Sequence, residues 1–205
     1  MKHLFDKLAG IGTKETLPHE SRRIRLTNMV SVLALAFTAG YSVFFSLQGW
    51  WDPILFNTLV CLVYLSVLGL NQKKFNRLAS IVLLYTAIVQ ITVVPNVFLG
   101  PASGLHYFFL VIPTFSFLLL HKKDRPWILL LAILSLCMFL YTEYGSFTSS
   151  FLVKASENVQ KGMHIASTTS TILLFFVVVF LFHRYLNRAL DESHRTCRRL
   201  YFLRG

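Results

Sequence analysis

Acidic residues are scarce in this sequence: nine Asp and Glu stand against twenty Lys and Arg in 205 residues. Charged residues make up only 14%, less than a soluble domain of this length carries, which excludes an ordinary soluble enzyme. Cysteine is almost missing. Cys61 and Cys137 fall inside apolar runs and Cys197 lies in a basic tail, so there is neither a disulfide framework nor zinc-ligand spacing. The sequence holds no GxSxG, no HExxH, no P-loop and no Gly-rich dinucleotide turn, and no apolar run carries two carboxylates.

What is abundant is hydrocarbon. Hydrophobic residues make up 55% of the chain, the mean hydropathy is +0.58, and the apolar residues gather into six runs of about Arg25–Leu47, Pro53–Leu70, Leu78–Val94, Leu105–Leu120, Pro126–Tyr144 and His164–Leu186. Each run exceeds the length of a barrel strand, and lipid offers no partner for backbone N–H and C=O groups, so each is expected to be a helix. The fourth run is short for a full crossing. Ala34-Leu35-Ala36 has the small-x-small form of a signal-peptidase site, yet apolar character continues through Phe44, Phe45 and Leu47, as in a spanning helix.

Lysine and arginine are dealt to alternate sides of these runs. Eighteen of the 20 lie in the two termini and in the loops around Asn71–Arg77 and His121–Arg125; only Lys154 and Lys161 fall on the other side. The positive-inside rule then predicts an all-α, six-helix integral membrane bundle in the cell inner membrane, with N- and C-termini cytoplasmic. The formal charge of +11 is accounted for by these loops meeting anionic headgroups, so no nucleic-acid partner is implied. Trp50 and Trp51 suit an interfacial aromatic belt, and Pro95–Gly104, with two prolines and two glycines, reads as an outer turn.

Three parts follow: a basic N-terminal segment (1–23), the transmembrane domain (24–186) and a cytoplasmic tail (187–205). In the first, Leu4, Phe5, Leu8 and Ile11 recur at helical spacing, consistent with either an interfacial helix or a mobile terminus. The sixth run carries apolar residues onward at three- and four-residue steps, including Leu186, Leu190, Cys197 and Leu200, an imperfect heptad seam. These four are candidate transmission residues, and a homodimer through this C-terminal helix is the expected partner arrangement. An isolated basic juxtamembrane helix is the alternative.

Polar residues inside hydrocarbon are costly and normally face protein or a cavity. Asn57, Gln90, Asn96, His106, Tyr107, His164 and Thr168 all fall toward the outer half of their runs, with Glu143 close by and Tyr41 on the first run. They are candidate ligand-binding residues, and Phe44, Phe45, Phe108 and Phe109 would supply apolar walls. That mixture suits a small hydrophobic or amphiphilic ligand. Simple interhelix hydrogen bonding is the competing explanation. His106 and His164 have no second histidine three or four residues away and no CxxCH accompanies them, so no metal, haem or other cofactor is expected.

Some stretches carry a family resemblance. Ser21-Arg22-Arg23-Ile24-Arg25-Leu26-Thr27-Asn28 resembles the basic entry to the first helix, and Gly104-Leu105-His106-Tyr107-Phe108-Phe109-Leu110 the aromatic opening of the fourth, in six-helix sensor regions of bacterial membranes. Such regions precede class III adenylate cyclases and the histidine kinases of cholera-autoinducer-type quorum sensing. The resemblance implies a receptor module that passes a signal through the Leu186–Leu200 helix to a cyclase or kinase. Nothing of that kind lies between Arg198 and Gly205, so the sequence reads as a sensor without its output, a fragment or a stand-alone membrane protein, and no enzymatic activity is expected of these residues. The rival readings are a small multi-pass transporter or channel, which predicts inverted repeats and discontinuous helices that are not evident in the sequence, and a lipid-modifying enzyme. A reporter enzyme fused after Gly205 should be active only as a cytoplasmic reporter; activity of a periplasmic reporter at that position would overturn the topology.

Overall fold

The computed structural model describes residues 7–13, 18–145 and 156–202. Among these there are helices and turns but no strand. The long elements are α1 (Pro18–Leu47), α2 (Trp51–Gln72), α3 (Asn76–Val93), α4 (Ile112–Leu119), α5 (Arg125–Tyr144) and α6 (Glu157–Phe202). Five segments are long and apolar enough to cross a membrane: Glu20–Leu47, Trp51–Gln72, Asn76–Leu99, Arg125–Tyr144 and Glu157–Phe180. The fourth, Leu105–Leu119, is shorter.

Consecutive helices run antiparallel, and polar contacts between helices pair residues of equal depth. At the end that carries the basic loops, the Thr27 and Ser80 hydroxyls lie 3.1 Å apart and the Asn71 amide donates to Asn28 Oδ1 at 2.7 Å. There too Arg77 Nε lies 2.8 Å from Asp124 Oδ1. At the opposite end, marked by Trp50, Asn96 of the α3 extension donates to Thr142 of α5 at 3.0 Å. Glu143 of α5 lies 2.7 Å from His106.

α1 is the hub of this packing. Its deeply buried positions Ile24, Ser31, Thr38 and Phe45 recur every seventh residue, with Thr27 and Asn28 beside them. Val43 and Leu47 point away from the bundle, and Leu33 and Phe37 are partly exposed at its edge. The stripe turned inward is thus rich in Ser, Thr and Asn, and the outward face is apolar, as lipid requires. Ser31 donates to the Tyr64 carbonyl of α2 at 2.7 Å. α6 presents a comparable stripe of Met163, Ser167, Thr171 and Val178 to the bundle, and the Tyr41 and Ser167 hydroxyls meet at 3.3 Å.

The link between the third and fourth runs differs from an outer turn. α3 continues into a π-helical segment, Val94–Leu99, in which five of six residues are buried. Pro95 supplies no N–H, and a π turn shifts each donor to the carbonyl five residues back. The Asn96 side chain supplies the bond to the Thr92 carbonyl at 2.7 Å. The chain reverses only over Gly100–Gly104, then begins the fourth segment as 3₁₀ helix (Leu105–Leu110) before α4. The third segment therefore runs on as helix to Leu99, the reversal is shorter than the Pro95–Gly104 turn read from sequence, and the fourth segment opens as a tighter helix. Loss of the Pro95 donor and the Gly-rich reversal are the physical reasons.

Two other boundaries move. α1 and α6 start earlier than expected, at Pro18 and Glu157 rather than near Arg25 and His164, because helical backbone bonding does not stop where apolar character does. α6 continues unbroken to Phe202. Its 46 residues correspond to roughly 69 Å at 1.5 Å per residue, more than twice a hydrocarbon core of about 30 Å. The side chains of Leu186, Leu190, Cys197 and Leu200 lie outside the described residues. At the other terminus, residues 7–13 dock on the bundle. Asn28 Nδ2 donates to the carbonyls of Ala9 (3.2 Å) and Ile11 (2.8 Å), and Ala9 is buried. Leu4 and Phe5 lie outside the described residues.

Gly104 tests this geometry. It has φ +70°, and a Cβ there would lie 3.0 Å from His164 Nδ1 and 3.3 Å from its Cα. Gly104→Ala should lower stability in nanodiscs by about 1–3 kcal/mol, from αL strain and displaced α6. Gly162→Ala, which meets nothing within 4 Å, should not lower it. Thermal unfolding of both variants checks the pair.

Candidate functional site

Gln90 stands where α1, α2 and α3 meet. Its amide donates to Thr38 Oγ1 at 3.0 Å and to Asn57 Oδ1 at 3.3 Å, and its carbonyl accepts from the Tyr64 hydroxyl at 2.9 Å. Thr38 in turn donates to the Ala34 carbonyl of its own helix at 2.8 Å. The one side chain thereby joins three helices with its polar capacity nearly used, an arrangement that hydrocarbon surroundings favour. Asn57 and Tyr64 lie two turns apart on α2. Gln90 thus sits roughly 9–20 Å below the start of that helix at 1.5 Å per residue.

This network forms one wall of a cavity of about 140 Å³. The remaining wall is apolar and drawn from α1 (Leu33, Phe37), α3 (Leu83, Ile91), the fourth segment (Phe108, Ile112, Phe115) and α6 (Leu174). Elements from across the bundle therefore share one space, so anything placed there would touch α6 and the Gln90 junction together. A dry cavity of about 150 Å³ accommodates a benzene-sized molecule.

A second polar group gathers nearer the Trp50 end. His106, 2% exposed, has its Nε2 2.7 Å from Glu143 Oε2. Its ring packs against Tyr107 (4.4 Å between centroids) and Phe139 (5.6 Å), and Tyr107 meets His164 edge-on at 5.7 Å. Buried polar atoms without a hydrogen-bond partner cluster in these segments: Asn96 Oδ1, His106 Nδ1 and Thr168 Oγ1. Each such atom costs free energy where it stands, so the group is receptive to a hydrogen-bonding guest. Among the described residues no three His, Cys, Asp or Glu side chains come together as a metal-holding group.

The seven residues singled out from sequence divide between these places. Asn57 and Gln90 line the cavity; His106, Tyr107 and His164 form the ring cluster; Asn96 ties α3's extension to α5; Thr168 offers a buried hydroxyl. The expected single outer pocket is two adjoining polar groups, with only the first on the cavity. Of the aromatic wall residues, Phe45 and Phe108 line the cavity, whereas Phe109 is buried in the main core. Sequence reading missed Thr38, Tyr64, Thr142 and Phe139. For Thr38 a signal was present in its seven-residue spacing from Ser31 and Phe45.

The helices, the inward polar stripe and the cavity are the setting for one comparison. A family model, MASE7, matches residues 13–192. The chain belongs to the MASE7 family. MASE7 is a family of membrane-associated sensor domains, and with five membrane-length helices this chain is a multi-pass membrane protein. No curated protein and no solved structure matches it. The match takes in all six long helices, both polar groups and the first part of the α6 extension, so the cavity belongs to the MASE7 domain itself and not to an addition.

Proposed function

We propose that this MASE7 domain is the receptor part of a signal-transduction system of the cell inner membrane. It crosses the bilayer six times, with both termini in the cytoplasm, binds a small amphiphilic ligand from the outer side, and reports through α6. It carries no catalytic step of its own; the output is a cytoplasmic cyclase or kinase. The orientation rests on the placement of 18 of 20 Lys and Arg residues on one side.

The sixth crossing is supported by the contacts at the two ends of the fourth segment. His106 meets Glu143 at the Trp50 end, while Asp124, just past α4, meets Arg77 at the basic end. Six 3₁₀ residues at about 2.0 Å each and eight α residues at 1.5 Å give roughly 24 Å, a shortfall that local thinning of the bilayer accommodates at modest cost.

The observation that carries the ligand reading is Gln90 on the cavity wall. A hydroxyl or carbonyl entering the cavity competes for the Thr38 and Asn57 bonds, while its hydrocarbon touches α6 at Leu174. Such a ligand shifts the bundle only as far as it binds one packing better than the other. α6, continuous to Phe202, is the element that takes tilt or rotation out of the membrane, and pairing of two such helices makes a homodimer. A second reading, a small transporter or channel, draws on the irregular π and 3₁₀ backbone between Val94 and Leu110; uptake by proteoliposomes distinguishes it.

The test is a panel of six- to twelve-carbon alcohols, ketones and acids added to the full chain in nanodiscs. Ligands that bind only the folded state raise its stability by RT ln(1 + [L]/Kd), about 2.7 kcal/mol at a hundredfold excess over Kd. At least one compound should raise the melting temperature of the natural chain and not that of Gln90→Leu. A panel without effect on the natural chain removes the pocket.

A further inference from the structure

The cavity has a neighbour on the lipid side. An open groove of about 580 Å³ runs between α1 and α6, lined by Ala36, Gly40 and Phe44 on one side and Val159, Met163 and Ala166 on the other. Leu33, Phe37 and Tyr41 line both the groove and the inner cavity. Phe37 therefore stands between the two spaces. Its side is 38% exposed, and its ring meets Phe108 of the fourth segment edge-on at 6.5 Å between centroids. Small residues keep the groove open: a Cβ at Gly40 or at Gly162 would meet nothing within 4 Å.

We propose that this groove is the lateral entrance to the cavity, occupied by the hydrocarbon chain of a medium-length amphiphile arriving from the bilayer, with Phe37 as the gate. The inference rests on the ligand reading above and adds its route and its size class. The volumes argue for it. The inner cavity, at about 140 Å³, holds a group no larger than a benzene ring. An amphiphile that brings its polar group to Gln90 must therefore leave most of its chain elsewhere, and the continuous apolar space is the groove. The groove wall, almost wholly hydrocarbon, matches a chain and not a headgroup. Swinging the Phe37 ring off Phe108 joins the two spaces without moving a helix, a side-chain motion fast enough for ligand entry.

The test uses the full chain in phosphatidylethanolamine–phosphatidylglycerol nanodiscs and two decanol analogues, one with a diazirine beside the hydroxyl-bearing carbon to report on the α3 wall and one with it at the chain end to report on the α6 wall. Photoadducts are mapped by peptide mass spectrometry on the α3 wall (residues 83–91) and the α6 wall (residues 159–170). The natural chain should be labelled on both. Gly40→Leu and Gly162→Leu fill the groove from positions that face open space, so the fold should persist, which thermal unfolding verifies. Both should slow labelling of the α3 wall by about tenfold, since entry then needs a conformational change, and Phe37→Ala should speed it. Equal α3 labelling rates in all four proteins would overturn the entrance while leaving the pocket standing. Absence of α3 adducts in the natural chain would sink the pocket and the entrance together. Chain-to-chain crosslinks at the groove in place of α6 adducts would assign it to a second copy of the chain.

Discussion

A polar side chain inside a bilayer has no water to turn to, and that single constraint arranges this bundle. Each Ser, Thr, Asn, Gln or Tyr placed within a crossing must meet a backbone carbonyl or a neighbouring helix. α1 shows the consequence most fully. Its inward stripe bonds to α3 through Thr27, to α2 through Asn28 and Ser31, to α3 again through Thr38, and to α6 through Tyr41. Apolar packing cannot choose among helix partners when lipid tails are equally apolar. The polar contacts set depth and neighbour, and van der Waals packing fills the remainder.

The same constraint explains how the proposed ligand site would arise from structural bonds. Gln90 holds three helices together, yet it does so on the wall of a cavity that α6 also touches. A guest with one hydrogen-bonding group can trade places with one of those bonds at little net cost, because the bonds exchanged are alike. The His106 group differs: buried atoms that lack partners make it a place where added bonding is gained outright. Between the two runs the π and 3₁₀ backbone from Val94 to Leu110, where helical bonding is less regular and rearrangement is easier.

Much of the fold was legible because lipid writes its demands in composition. Six apolar runs, alternating basic loops and the Trp50–Trp51 turn each have one physical cause, and the helices lie where those signals put them. The extension of α6 was legible from the absence of Pro and Gly. The π turn and the 3₁₀ opening of the fourth segment were not. Pro95, Gly100, Pro101 and Gly104 signal a break, but sequence does not say that the broken backbone folds inward over Phe98 and Leu99 instead of outward into a turn. The site residues were half legible. Intramembrane polarity picked out Asn57, Gln90 and His106, whereas Tyr64 and Thr38 pass as ordinary interfacial or helix-tolerant residues until a partner is seen. In a membrane helix the informative stripe is the polar one, so Thr27, Asn28, Ser31 and Thr38 are conspicuous only when the search for an apolar face is reversed.

The most direct trial of this account is a double-mutant cycle between Thr38→Val and Gln90→Leu, read as unfolding free energy of the full chain in lipid bilayers. If the bond between them joins α1 to α3, each single change destabilises the bundle and the double change costs less than their sum, by about 0.6–1.7 kcal/mol. Costs that add to within about 0.3 kcal/mol would show that the two side chains do not act together, and would contradict the claim that polar pairing organises these helices.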